Sequence, residues 1–115
     1  LAATDQPLTV YEGAEDQKRP YLHVQDSVRS MLFAADNLGD GEAYNVVGQN
    51  ARLQDVIDAI VHHFPDVEIG YVEAEQLNQL SYIVSDRKIR EEGFETCYTL
   101  DQGVAELADK YRAMV

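Results

Sequence analysis

The sequence predicts an α/β fold in which short strands alternate with helices, on three observations. Short β-prone runs such as Leu8-Thr9-Val10-Tyr11 recur between amphipathic stretches. The strongest of those stretches carries Leu53, Val56, Ile57, Ile60, Val61 and Phe64 at helical period and stops at Pro65. No internal repeat, low-complexity tract or Pro/Ser-rich linker interrupts the chain, so residues 1–115 read as one unit. Alternation of this kind favours layered helices and strands over a bundle or a sandwich.

The elements are expected in the following order. Leu8 to Tyr11 is a strand, and the polar run Glu12 to Asp16 turns after it. Tyr21 to Val24 is a second strand. Asp26 or Ser27 then caps a helix whose Val28, Met31, Leu32 and Ala35 fall at i, i+3, i+4 and i+7, an apolar face expected to be buried before Gly39 and Gly41 end the helix. Ala43 to Val47 is a compact apolar strand, and Gly48-Gln49-Asn50 turns into the long helix already described. Val67 to Val72 alternates as a strand, Glu73 to Leu80 is ambiguous, and Tyr82-Ile83-Val84 is a short β segment. Ser85 caps a brief helix ended by Gly93. Thr99 and Gln102 form a capping box for the last helix, which carries Val104, Leu107, Ala108 and Tyr111.

Composition narrows the function classes. With 45% hydrophobic residues in 115, the chain has enough apolar side chains for one modest core. Twenty-one acidic residues against nine basic ones give a formal charge of −12, which repels nucleic-acid phosphates and anionic lipid heads. No run of 18 apolar residues and no signal-like start occur, so the reading is soluble and cytoplasmic, without a membrane partner. The single Cys97 makes no internal disulfide and has no metal-ligand spacing; it reads as a half-buried thiol beside Tyr98. His62 and His63 are adjacent, and adjacent helical positions diverge by about 100°, so they read as solvated helix-end histidines and no metal site is expected. Glu73-Ala74-Glu75 reads as solvated surface, and no Asp/Glu pair is placed for hydrolysis.

The densest candidate cluster is Arg19-Pro20-Tyr21-Leu22-His23-Val24-Gln25-Asp26. Strand alternation puts Arg19, Tyr21 and His23 on one face. An arginine there suits a bidentate phosphate contact and a tyrosine suits a ribose or base. Read from residue types alone, structural use of Arg19 and Asp26 stays open as the commoner alternative.

Four blocks, in order, resemble the extended short-chain dehydrogenases, the NAD-dependent nucleotide-sugar epimerases and dehydratases. They are Tyr11-Glu12-Gly13; Arg19 through Val28; Tyr44-Asn45-Val46-Val47-Gly48; and Ser85-Asp86-Arg87-Lys88-Ile89 through Gly93-Phe94 to Val104. The resemblance implies the C-terminal, nucleotide-sugar-binding portion of such an enzyme. It implies that Arg19 contacts the ligand's diphosphate, that Tyr21 lines the same pocket, and that Asn45 hydrogen-bonds the nucleotide. It further puts Asn78 at a ribose-contacting position and Tyr11 near the base. Two departures stand out. Glu75 occupies the place, seven residues before Tyr82, where several members carry a second phosphate-binding arginine, and a carboxylate there repels a diphosphate. The Tyr44–Gly48 block is also one residue longer than the family pattern.

The family's NAD site needs a glycine-rich turn between a strand and a helix, and its chemistry needs a tyrosine with lysine four residues later. Neither pattern occurs in this sequence. The chain alone is therefore expected to carry no catalytic residues and no cofactor, with NAD bound by an N-terminal Rossmann half of the parent. Expected partners are a nucleotide sugar, that half and, as a homo-oligomer, a second copy meeting a sheet edge or the face of the 53–64 helix. The alternative is a non-enzymatic α/β protein-interaction module that has lost ligand binding.

Overall fold

Backbone pairing, more than local periodicity, decides which residues become strands here. The computed structural model describes residues 2, 6–73 and 81–114. In chain order these form β1 (Leu8–Tyr11), β2 (Lys18–Tyr21), α1 (Val24–Asn37), β3 (Gln49–Arg52), α2 (Leu53–His63), β4 (Ile69–Val72), α3 (Arg87–Glu91) and α4 (Leu100–Met114). Strand β1 pairs in parallel with β4, Leu8 opposite Ile69 and Tyr11 opposite Val72. Strand β2 pairs antiparallel with β3, Lys18 opposite Arg52 and Tyr21 opposite Gln49. The α/β expectation holds, while several boundaries move.

The second strand lies at Lys18–Tyr21 and not at Tyr21–Val24, because the chain turns into α1 directly after Leu22. Ala43 to Val47 is not a strand: it has no ladder to another strand among the described residues, and the expected turn Gly48-Gln49-Asn50 opens β3 instead. Tyr82 to Val84 is likewise outside the strands. Helix α2 begins where the periodicity puts it and closes before Pro65. The Thr99–Gln102 box forms as expected, the Thr99 N–H donating to Gln102 Oε1 at 2.8 Å and the Gln102 N–H to Thr99 Oγ1 at 3.1 Å.

Helix α1 departs most from its sequence pattern. His23, and neither Asp26 nor Ser27, is its cap, with Nδ1 accepting the Gln25 N–H at 3.0 Å. The face expected to be buried is open: Val28, Met31 and Leu32 are among the exposed apolar residues, Leu32 at 63%. The opposite side packs inward through Asp26, Ser30 and Phe33, whose ring lies 5.4 Å from that of Phe94. The small core comprises Val47, Ala51, Ile57, Ala59, Ile89, Phe94 and Ala108, with Val10 of β1 and Ala14 just after it. Helix α2 packs on α4, and of the 53–64 face Ile57 is buried while Leu53, Val56, Ile60, Val61 and Phe64 are half-buried. Ile89, almost fully buried, contributes about 2–3 kcal/mol by leaving water.

Cys97 is exposed, in contrast to the half-buried thiol expected. The adjacent His62 and His63 rings meet edge to face at 5.0 Å, and His63 buries its Nε2 with no partner among the described residues, so only His62 is the solvated histidine expected. No helix among the described residues is long and apolar enough to cross a membrane.

Candidate functional site

Strand β2 delivers Arg19 and Tyr21 to one face of the β2–β3 pair, two residues apart, as the alternation requires. His23 does not join them: it leaves the strand to cap α1. Arg19 is half-buried, and its guanidinium carbon lies 4.9 Å from the centroid of the Tyr82 ring. Its only side-chain hydrogen bond among the described residues is a long one, Nη1 to the Lys18 carbonyl at 3.4 Å. No carboxylate among the described residues pairs with it. Asp16, the nearest acidic residue in sequence, approaches Arg52 at 4.0 Å instead.

Tyr21 reaches a cavity of about 480 Å³ between the start of α1 and the first turns of α4. His23, Tyr98, Gly103 and Leu107 also wall it. The His23 and Tyr98 rings stack at 4.0 Å and 16°. Since His23 Nδ1 accepts the Gln25 N–H, the proton sits on Nε2, which donates to Glu106 at 2.7 Å. Both ring nitrogens are thus engaged within the fold. Close packing here depends on two glycines. A Cβ on Gly48 would meet the Tyr21 carbonyl at 2.9 Å, and one on Gly103 would meet the His23 ring at 3.4 Å.

The remaining expected site residues are dispersed. Arg19, Asn45 and Tyr11 do not wall the cavity; Asn45 is exposed in the segment between α1 and β3, and Tyr11 is exposed at the end of β1. Asn78 and Glu75 lie outside the described residues. The structure therefore joins Arg19 with Tyr21 but shows no contact between Arg19 and Asn45.

Three arrangements were not legible in the sequence. Asp26 is fully buried and accepts the N–H groups of Cys97 at 2.9 Å and Tyr98 at 3.0 Å, with Arg29 at 2.7 Å. Burial pushes its carboxyl up, but the two backbone bonds and Arg29 outweigh it, holding the group below the usual carboxylate range. Asn50 brackets Val84 with both ends of its amide, donating to the carbonyl at 2.9 Å and accepting the N–H at 3.0 Å. Lys88 ties down the segment before β3: it donates to the Ala43 carbonyl at 3.0 Å, pairs with Glu42 at 2.9 Å and sits 4.4 Å over the Tyr44 ring. The Tyr44 hydroxyl donates to Asp40, which pushes the phenol up to about 12.

A dinucleotide pyrophosphate requires a glycine-lined strand-to-helix turn with free N–H groups. The N-termini of the longer helices do not fit it. The β3–α2 turn has no glycine and its first N–H donates to the Asp55 carboxylate at 2.9 Å; α1 is closed by His23 and α4 by Thr99 with Gln102.

No protein-family model matches the chain. It is 31% identical, over 123 aligned positions, to a dTDP-glucose 4,6-dehydratase of Xanthomonas campestris pv. campestris, an alignment covering 96% of this chain and 35% of that protein. Among solved structures, the UDP-glucose 4-epimerase of Thermotoga maritima with UDP-glucose superposes with a TM-score of 0.84 at 22% identity, covering 98% of this chain and 37% of that one. The chain carries the C-terminal part of the epimerase/dehydratase fold. A UDP-glucose 4-epimerase of Thermus thermophilus, in complex with NAD, gives a TM-score of 0.80 at 22% identity over 99% of this chain and 38% of its own. The chain thus spans about a third of the length of the epimerase/dehydratase relatives it matches. In that fold β2 and the α1 start are the elements that bear Arg19, Tyr21 and His23.

Proposed function

We propose that this chain is the nucleotide-sugar-binding part of an NAD-dependent epimerase/dehydratase, with Arg19 as the contact to the ligand's diphosphate. The observation that supports this is the state of Arg19 itself: a half-buried guanidinium laid on Tyr82, with no carboxylate partner among the described residues. A cation drawn partly out of water loses hydration that an anion offsets. An arginine with no acid against it among the described residues, in a chain of charge −12, has in-plane N–H groups to offer an external anion.

On this reading Tyr21, on the same face of β2 as Arg19, contacts the ligand as well, while Asn45, Asn78 and Tyr11 contact nucleotide, ribose and base. NAD is held by an N-terminal Rossmann half, the portion of the relatives' length that this chain does not span, and the open apolar face of α1 packs against it. The face comprises Val24, Val28, Met31 and Leu32, all exposed. The residues of this chain bind and orient; hydride and proton transfer belong to the other half.

Calorimetric titration of the full-length protein with dTDP and UDP tests the reading. Arg19→Ala is expected to weaken the tighter of the two by about tenfold to more than a hundredfold, the loss of a charge-assisted bidentate contact. Equal affinity in wild type and variant overturns it.

A further inference from the structure

We propose that Tyr82 is a positioning residue for Arg19, its ring fixing the guanidinium plane so that the N–H edge faces the diphosphate. The proposal rests on the phosphate reading of Arg19 and adds a residue to it. A guanidinium has two π faces and an edge of donors; stacking on an aromatic ring occupies a face and leaves the edge for hydrogen bonds. The guanidinium carbon lies over the Tyr82 ring, 4.9 Å from its centroid, and among the described residues the donor edge spends only one long bond, to the Lys18 carbonyl.

The ring is itself held in place. Segment 81–84 is stitched to the β2–β3 pair by four hydrogen bonds. The Lys18 N–H donates to Ser81 Oγ at 3.0 Å and the Tyr82 N–H to the Lys18 carbonyl at 3.0 Å. Asn50 supplies the other two, bracketing Val84. Tyr82 and Arg19 are thereby fixed to one strand, and the arginine arrives at its ligand with fewer rotamers to lose. The Tyr82 hydroxyl has no partner among the described residues and the residue is half exposed, so the ring and not the phenol oxygen carries the role.

The test uses the full-length protein with Tyr82→Leu, Tyr82→Phe, Arg19→Ala and the Arg19→Ala/Tyr82→Leu double variant. Without ligand, the Arg19 Hδ protons are expected to be shifted upfield by the ring current in wild type and Tyr82→Phe, and to return to ordinary positions in Tyr82→Leu. Absence of that shift in wild type overturns the proposal whatever binds. On titration with dTDP, Tyr82→Leu is expected to weaken binding about threefold to thirtyfold, Tyr82→Phe hardly at all. Thymidine affinity stays unchanged in both, and Tyr82→Leu adds nothing once Arg19 is alanine. If Arg19→Ala weakens dTDP binding and Tyr82→Leu does not, the positioning role is refuted while the phosphate reading stands. If Arg19→Ala has no effect either, the phosphate reading fails and the proposal with it.

Discussion

The carboxylate of Asp26, in the first turn of α1, accepts the backbone N–H of Tyr98 at 3.0 Å across 72 residues of sequence. With the Cys97 N–H on its other oxygen, it fastens the segment before α4 to α1 and so holds Tyr98 where its ring can stack on His23. Asp26→Ala leaves two N–H groups and the Arg29 guanidinium without their acceptor. Such a loss at a fully buried carboxylate costs about 3–5 kcal/mol. Urea denaturation is expected to show that loss, with hydrogen exchange at Cys97 and Tyr98 rising first; a change below about 1 kcal/mol would show that the clamp is not needed.

The same carboxylate sets an acid limit. Its folded pKa is depressed below the unfolded value of about 3.9, so its stabilisation is present above that value and is lost as pH falls through the folded pKa. Stability of wild type is therefore expected to fall steeply below about pH 4. Asp26→Asn, which cannot titrate, should start lower at neutral pH and show a shallower acid slope, so that the two curves converge. Parallel curves would contradict the assignment.

Gly48→Ala is expected to be costly for a reason confined to one contact. The added Cβ would sit 2.9 Å from the Tyr21 carbonyl, the acceptor of the Gly48 N–H itself at 2.9 Å, and backbone on both sides cannot swing away. Overpacking of this kind costs about 1–3 kcal/mol. Thermal denaturation measures it, and because β2 must shift, the affinity for dTDP should fall along with stability in this variant.

Asp40→Asn tests the link that pushes the Tyr44 phenol up to about 12. Removing the carboxylate that accepts its hydroxyl should return Tyr44 toward an ordinary tyrosine pKa near 10. Titration followed by NMR on ring-labelled tyrosine resolves this residue from the other six. An unchanged Tyr44 titration would mean that the pair does not persist in solution.

Leu32→Glu is expected to change the stability of this chain by less than about 0.5 kcal/mol, as for other open surface positions, although leucine lies on a helical apolar stripe. A loss of about 2 kcal/mol or more on denaturation would show that the face is covered.

What the sequence disclosed divides along the range of the interaction. Helix α2 and the Thr99–Gln102 box rest on contacts within a few residues, and both stand where periodicity and capping put them. Strand β3, Gln49–Arg52, carries no alternating apolar signal; it is a strand because its backbone meets β2. Ala43 to Val47 has the apolar signal and no neighbouring strand among the described residues, so its propensity goes unused. At the candidate site, the two-residue spacing of Arg19 and Tyr21 was readable from the pleat. Tyr82 beneath Arg19, and Asn50 holding Val84, were not, since their partners lie dozens of residues away and no spacing rule connects them.

Helix α1 turns Asp26, Ser30 and Phe33 inward and leaves Val24, Val28, Met31 and Leu32 to the outside. Its resistance to unfolding then depends on the concentration of whatever covers that stripe. Any molecule that covers the stripe and ignores the unfolded chain raises stability by RT ln(1 + [L]/Kd), about 2.7 kcal/mol at a hundredfold excess over Kd. A melting temperature measured on this polypeptide by itself reports the uncovered limit of that function, and the distance from this limit is a direct gauge of how much of the stripe is occupied.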